Sequence, residues 1–237
     1  MEQLSKNLEQ NIQAIKKILQ AEDILVYRFS PPKTEQKQGD EGTVYAIIYA
    51  DGVVDKALLG DLAARPLNKL DFSKEAKPTL EEVKRALLFP ELKEDNSVEA
   101  LTKEILDGNS VLLVDGLDQA IIVGAKMPPS RAVIEPPTDV AVKGPREGFV
   151  EDVKTNMALL RKRLKTPALR FTMLKIGKQS DTNVAVCYLD GIADAAVKDE
   201  LIQKLEAIQT DVIPDSSYVA TLIAPRPHSV FRQSGTT

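Results

Sequence analysis

The chain has 237 residues, of which 43% are hydrophobic and 28% charged, and its formal net charge is −4. This composition is typical of a folded globular protein with one large domain or two small ones. The acidic balance argues against a dedicated nucleic-acid-binding protein, which normally carries a clear basic excess.

The apolar runs and the single cysteine limit the class of protein further. The longest runs, residues 45–50 and 184–189, are far shorter than the roughly 18 to 20 residues that cross a bilayer. The N-terminus lacks the apolar core of a signal peptide, so the cytoplasmic side is the default location. Cys187 cannot form an internal disulfide, and its apolar neighbours predict a buried side chain.

The first part of the chain predicts a helix, two strands and a second helix. An apolar stripe at helical spacing comprises Leu4, Leu8, Ile12, Ile15 and Leu19. β-Branched and aromatic residues predict strands over 24–29 and 44–49, with a polar connection between them. The Asp51-Gly52 turn then leads into a short helix over 54–64.

The middle of the chain predicts helices over 80–88 and 97–106, followed by a hairpin. Its strands, 111–114 and 120–123, flank an Asp115-Gly116 turn. Residues 127–137 then contain four prolines, which supply no backbone donor and restrict the preceding residue. This segment is therefore the predicted linker.

The last part of the chain repeats the order of the first. Strands are predicted over 169–176 and 184–189, and helices over 195–208 and 215–223. The Asp190-Gly191 turn corresponds to Asp51-Gly52, which indicates an internal strand-strand-helix repeat. The sequence thus predicts an α/β protein: two small α/β subdomains with mixed sheets, residues 1–128 and 149–237, joined by a proline-rich linker over 129–148.

Two pairs of aspartates have the spacing of paired carboxylates, Asp51 with Asp55 and Asp190 with Asp194. They could serve acid/base chemistry or bind a divalent cation. The favoured interpretation is structural, because Asp before Gly forms turns and Asp at a helix start accepts from free backbone N–H groups.

Catalytic motifs are missing from the sequence. His228 is the only histidine, and no glycine-rich phosphate loop, nucleophile elbow or Cys-x-x-Cys occurs. We therefore expect no enzyme, no metal site and no cofactor.

A basic amphipathic helix is predicted over 150–165. Its cations are Lys154, Arg161, Lys162, Arg163 and Lys165, and its apolar face is Val150, Val153, Met157, Leu160 and Leu164. The cations either form a solvated face that complements the helix dipole, or a docking patch for an acidic partner or anionic lipid headgroups.

The segment before this helix predicts either a tight turn or a hinge. In the turn, Phe149 would be buried and Arg146 paired with a carboxylate. In the hinge, Gly144, Pro145 and Gly148 would permit a change of backbone angle near a bound anion or partner.

Several motifs together resemble the A subunit of GerA-type spore germinant receptors. They are Glu135-Pro136-Pro137-Thr138, Gly144-Pro145-Arg146-Glu147-Gly148-Phe149, Glu151-Asp152, Asn156, Ala158-Leu159-Leu160-Arg161 and Arg163. The likeness extends upstream to Val111-Leu112-Leu113-Val114-Asp115-Gly116 and downstream to Asp211-Val212-Ile213-Pro214-Asp215-Ser216-Ser217-Tyr218.

The resemblance implies the amino-terminal soluble domain of such a subunit, with a bilobal plan similar to substrate-binding proteins. It implies a complex with a transporter-like B subunit and a lipoprotein C subunit in the inner spore membrane, with this domain on the cytoplasmic, spore-core side. The chain is expected to stop before the membrane region. Such receptors respond to small nutrients and trigger germination.

Two hypotheses for the function follow from the resemblance. The first is a non-catalytic signalling domain that takes part in nutrient sensing, and the second is a module that binds an amino acid or sugar between the lobes. The candidate ligand- or partner-binding residues are Arg131, Arg146, Asn156, Arg161 and Arg163.

Overall fold

The computed structural model describes residues 2–31, 43–69, 77–127 and 148–224. These residues form two compact units. The first comprises the described residues up to 127 together with 158–167, and the second comprises 148–157 and 168–224. Segment 158–167 thus groups with the first unit, whereas the sequence assigned it to the second. The predicted linker lies almost wholly outside the described residues and stays a prediction.

The first unit contains one five-stranded sheet with helices between its strands. Its elements are α1 (Leu8–Leu19), β1 (Ile24–Phe29), β2 (Tyr45–Ala50), α2 (Lys56–Leu59), a π-helix (Gly60–Ala64), α3 (Arg65–Asn68), α4 (Leu80–Ala86), β3 (Leu92–Asp95), α5 (Val98–Leu106), β4 (Ser110–Val114) and β5 (Ala120–Val123). The strand order is β1-β2-β4-β5-β3, and every pair is antiparallel.

This sheet is covered on both faces. Side chains alternate along a strand, so Val111 and Leu113 of β4 join the core formed with α1 and α5. Leu112 and Val114 join the opposite core, with the π-helix and α4. β4 is the third of five strands in the sheet order, and all five of its residues are buried.

The apolar stripe of the N-terminal helix packs in the core as predicted, although Leu4 lies before the start of the helix. Ile12 and Ile15 are fully buried in the core that faces the sheet. The helix begins after Asn7, whose side-chain oxygen accepts from the backbone N–H of Gln10 at 3.0 Å. It ends at Gln20, which adopts a left-handed conformation with φ 34°.

The second unit has a two-stranded sheet and two further helices. Its elements are β6 (Leu169–Ile176), β7 (Thr182–Leu189), α7 (Ala195–Glu206) and α8 (Ser216–Ile223); α6 (Val153–Arg163) begins in this unit and ends in the first. The strands pair antiparallel from Leu169 opposite Leu189 to Ile176 opposite Thr182. One face of the pair packs against Leu205, Ile213 and Val219.

The same helix–hairpin–turn–helix plan occurs twice along the chain, first from α1 to α2 and again from α6 to α7. In each, the residue before the first strand accepts from the residue after the second: Asp51 N–H donates to Asp23 O at 2.7 Å, and Asp190 N–H donates to Ala168 O at 2.8 Å. Gly52 and Gly191 follow with φ of 75° and 78°, a conformation that glycine adopts without strain.

The two initial helices of this plan also begin alike. The side-chain amide of Asn11 exchanges two hydrogen bonds with the backbone of Ser5, at 2.8 and 2.6 Å. The amide of Asn156 in α6 makes the same pair with Val150, at 2.8 and 2.6 Å. In both cases the partner lies six residues earlier, so the likeness between the two copies of the plan extends beyond the predicted strand-strand-helix segment.

The α/β fold class is confirmed. Three more detailed predictions, on strand pairing, Cys187 and Phe149, are wrong. All strand pairs among the described residues are antiparallel rather than mixed: β1–β2, β4–β5 and β6–β7 are hairpins, and β2–β4 and β3–β5 also run antiparallel. Cys187 is exposed, because it points away from the face of β7 on which Val186 is buried. Phe149 is also exposed, at 56% of its surface, and does not form a buried turn.

Candidate functional site

The arginine at the centre of the predicted basic patch is buried. Arg161 exposes 1% of its side chain and makes a two-pronged pair with Asp23, which exposes 2%. Its Nε donates to Asp23 Oδ2 and its Nη2 to Oδ1, both at 2.8 Å. A third bond runs from Nη1 to the Thr166 carbonyl at 3.1 Å.

This geometry removes Arg161 from the exposed patch that the sequence predicted. A buried guanidinium is tolerated only when a counter-charge and hydrogen bonds replace its water, and the planar fork of arginine matches a carboxylate well. Asp23 lies at the end of the α1–β1 connection, 138 residues away in sequence. Arg161 therefore holds the last turn of α6 and the segment up to Thr166 within the first unit.

Asn156 and Asp152 form the start of α6. The amide of Asn156 is used by the backbone of Val150, as described above. The Asp152 carboxylate accepts from the hydroxyl and backbone N–H of Thr155, at 2.7 and 2.8 Å. These bonds to Thr155 lower the pKa of Asp152, since they favour its charged form. A ligand-binding role for Asn156 stays a prediction.

The apolar face of α6 is only partly as predicted. Met157, Ala158 and Leu159 are buried, whereas Leu164 exposes 39% of its surface. The helix stops at Arg163, so Leu164 no longer follows the helical spacing. Lys162 and Arg163 are exposed at its C-terminal end, where cations complement the helix dipole.

Lys165 belongs to a charge cluster around Asp107, which ends α5. The Asp107 carboxylate pairs with Lys126 Nζ at 2.6 Å and with Lys165 Nζ. These two ammonium groups hold the pKa of Asp107 below its ordinary value. Like Arg161, Lys165 thus pairs with a carboxylate from the earlier part of the first unit.

The Asp107 cluster gives a pH-dependent contribution to stability. We expect Asp107→Asn to lower the free energy of unfolding at pH 7 by less than about 1 kcal/mol, because the carboxylate is partly exposed. A lowered folded-state pKa stabilises above the ordinary value near 3.9 and loses that effect as the pH falls through the folded-state value. Urea unfolding at pH 7 and pH 2.5 measures this; an equal deficit at both would contradict it.

The remaining predicted site residues are not brought together by the described structure. Arg131, Arg146, Gly144 and Pro145 lie outside the described residues, and Gly148 is the first residue after that gap. Asp23, the buried partner of Arg161, was not singled out from the sequence. Its neighbours, Glu22 and Ile24, gave no sign that this carboxylate is buried.

The paired aspartates have the structural role that was favoured. Asp55 caps α2 by accepting from Leu58 N at 3.0 Å, and Asp194 caps α7 by accepting from Ala196 N at 2.8 Å. Across the described ranges, no group of three or more His, Cys, Asp or Glu side chains is placed to hold a metal ion. None of the helices described is both long and apolar enough to cross a bilayer.

Comparison with known proteins identifies relatives of one kind. Residues 12–237 match the family model "Bacillus/Clostridium GerA spore germination protein". The chain is 30% identical over 229 residues to spore germination protein KA of Bacillus subtilis strain 168, covering 96% of this chain and 41% of that one. It is 29% identical over 235 residues to the uncharacterized membrane protein YfkQ of the same organism, covering 97% and 43%.

One solved structure of this kind of protein has a similar fold. The crystal structure of the N-terminal domain of the A subunit of the Bacillus megaterium spore germinant receptor GerK3 aligns with a TM-score of 0.66 and 25% sequence identity. The alignment covers 88% of this chain and 74% of that domain. The chain spans less than half the length of the two B. subtilis relatives. It belongs to the GerA family of spore germination proteins, and its fold is similar to that of the amino-terminal domain of a receptor A subunit.

Proposed function

We propose that the chain is the amino-terminal domain of a nutrient germinant receptor A subunit and takes part in the signalling that triggers spore germination. The match of residues 12–237 to the GerA family carries this proposal. The similarity to the GerK3 A-subunit domain supports the assignment to the A subunit. The domain has no catalytic role in this proposal and works through its contacts with other parts of the receptor.

The partners in this proposal are the B and C subunits of the receptor. The full-length protein lies in the inner spore membrane, with this domain on the cytoplasmic, spore-core side. The name of the relative YfkQ, a membrane protein, supports a membrane location. The exposed cations Lys162 and Arg163 at the end of α6 are the proposed docking residues, whereas buried Arg161 positions the segment that carries them.

Charge reversal tests the docking role. In spores that carry the full-length protein, we expect Lys162→Glu with Arg163→Glu to slow nutrient-triggered germination on the order of tenfold, since each cation near an anionic surface contributes about 1 kcal/mol. The readout is loss of optical density after nutrient addition, with immunoblots to confirm the protein level.

A matched control separates docking from helix stability. Lys16 and Lys17 are exposed in the last turn of α1, the helix that corresponds to α6 in the other copy of the repeated plan. Lys16→Glu with Lys17→Glu repeats the charge change and the unfavourable dipole interaction on that helix. Normal germination in the α6 variant at a normal protein level, or equal defects in both variants, would remove the docking role.

The alternative function, an amino acid or sugar bound between the lobes near Arg131, Arg146 and Asn156, stays a prediction. Calorimetric titration of the 237-residue chain with amino acids and sugars tests it. Saturable heat that disappears in Arg146→Ala would favour the alternative.

A further inference from the structure

A cavity of about 290 Å³ lies in the first unit, against the β1–β2 end of the sheet. Its walls include Tyr27, Tyr49, Lys56 and Gly60, with Ile47 and Leu59 as aliphatic surface. The volume is close to the lower end of the roughly 300–1,000 Å³ range of small-molecule sites. Those sites combine an apolar lining with few polar groups, as this one does.

The sheet presents a firmly held aromatic wall to this cavity. Tyr27 is opposite Ile47 in the β1–β2 register, and Leu25 is opposite Tyr49, so these side chains share one face. The Tyr27 ring stacks on Phe29 with centroids 5.4 Å apart, and Phe29 stacks on buried Tyr45 at 5.3 Å. Tyr27 is nevertheless 49% exposed, so it offers a flat, positioned ring to a ligand.

The opposite wall is open because a glycine begins the π-helix. Gly60 has φ −61° and ψ −47°, a conformation that any residue adopts, so its backbone does not require glycine. A Cβ atom built at this position would meet no atom within 4 Å. The missing side chain therefore leaves space in the cavity. π-Helical turns of this kind occur frequently at functional sites.

One charged group lines the cavity. The Lys56 ammonium lies 2.5 Å from Asp51 Oδ1 and is half-exposed. Its hydrogen bond to Asp51 raises the pKa of Lys56, so the group stays cationic at neutral pH. Burial raises the pKa of Tyr49, which keeps its hydroxyl neutral and able to donate. Asp51 uses one of the three N–H donors of Lys56, so the remaining donors and the Tyr49 hydroxyl can bind a carboxylate, and the aromatic wall favours a flat ring.

We propose that this cavity binds a small aromatic carboxylate, with its ring against Tyr27 and its carboxylate directed to Lys56 and the Tyr49 hydroxyl. The proposal concerns a site inside the first unit and does not depend on the role in germination.

Three probes of one size test the ligand class on the 237-residue chain. We expect benzoate to bind saturably by NMR titration, neutral benzamide at least fivefold more weakly, and cationic benzylamine not measurably. Lys56→Gln should weaken benzoate at least fivefold and leave benzamide unchanged. Equal affinity for all three probes, or no saturation by benzoate, would overturn the proposal.

A pair of glycine variants tests whether benzoate binds in this cavity. Gly60→Leu adds a side chain to the cavity wall, and since a Cβ there meets nothing within 4 Å the protein should fold, while benzoate affinity should fall at least tenfold. Gly124 is the matched control, because a Cβ there also meets nothing within 4 Å and it is not among the cavity residues. Gly124→Leu should leave benzoate affinity unchanged. Unchanged benzoate affinity in a folded Gly60→Leu variant would place binding elsewhere and refute the site.

Discussion

Replacing Arg161 with alanine is expected to lower the free energy of unfolding by about 3–5 kcal/mol, because Asp23 would stay buried without its counter-charge. Urea unfolding of the 237-residue chain, followed by far-UV circular dichroism, measures the change. Lys162 provides the control, since it is exposed on the same helix. Lys162→Ala should cost less than about 0.5 kcal/mol.

A double variant distinguishes two causes of the stability loss in Arg161→Ala, the unpaired buried charge and the lost side-chain packing. Arg161→Met with Asp23→Asn keeps much of the buried volume and removes both charges, so we expect it to recover most of the stability lost in Arg161→Ala. If the double variant were as unstable as the single one, the loss would come from packing of the arginine side chain. A loss below about 1 kcal/mol for Arg161→Ala would contradict the buried pair itself.

Truncating Leu112, a buried side chain of the central strand β4, should lower the free energy of unfolding by a similar amount. Leu112→Ala is expected to lower the free energy of unfolding by about 2–5 kcal/mol, because Leu112 is fully buried and β4 has neighbours on both sides and cores on both faces. The same urea titration measures it.

Leu88 is the matched control for this deletion. It is a leucine of the same unit with 62% of its surface exposed, so Leu88→Ala should cost no more than about 0.5 kcal/mol. Similar losses in the two variants would contradict the placement of β4 at the centre of the sheet.

The regular elements could be predicted because local pattern determines them. The helical spacing from Leu8 to Leu19, the turns at Gly52, Gly116 and Gly191, and the caps at Asp55 and Asp194 all operate within a few residues. By contrast, β3 (Leu92–Asp95) was not predicted, since its sequence Leu-Lys-Glu-Asp has the polarity of a loop. It forms because it pairs with the buried strand β5 at the edge of the sheet.

The candidate site shows where local pattern fails. Arg161 lies among cations and therefore was predicted to be exposed, either on a solvated face or in a docking patch. Its burial depends on Asp23, which is distant in sequence, and no spacing rule connects them. The cavity beside Tyr27 also escaped prediction, because it requires the strand register that places Tyr27 and Tyr49 on one face and a π-turn at Gly60.

The exposure of Cys187 has a practical consequence for studying this protein. It is the sole thiol of the 237 residues and lies on β7 in the second unit. A maleimide fluorophore should therefore attach at one defined position without any engineered substitution, because accessible thiols react and no second thiol competes. Anisotropy of that dye would report on tumbling of the labelled chain as the proposed B and C subunits are added.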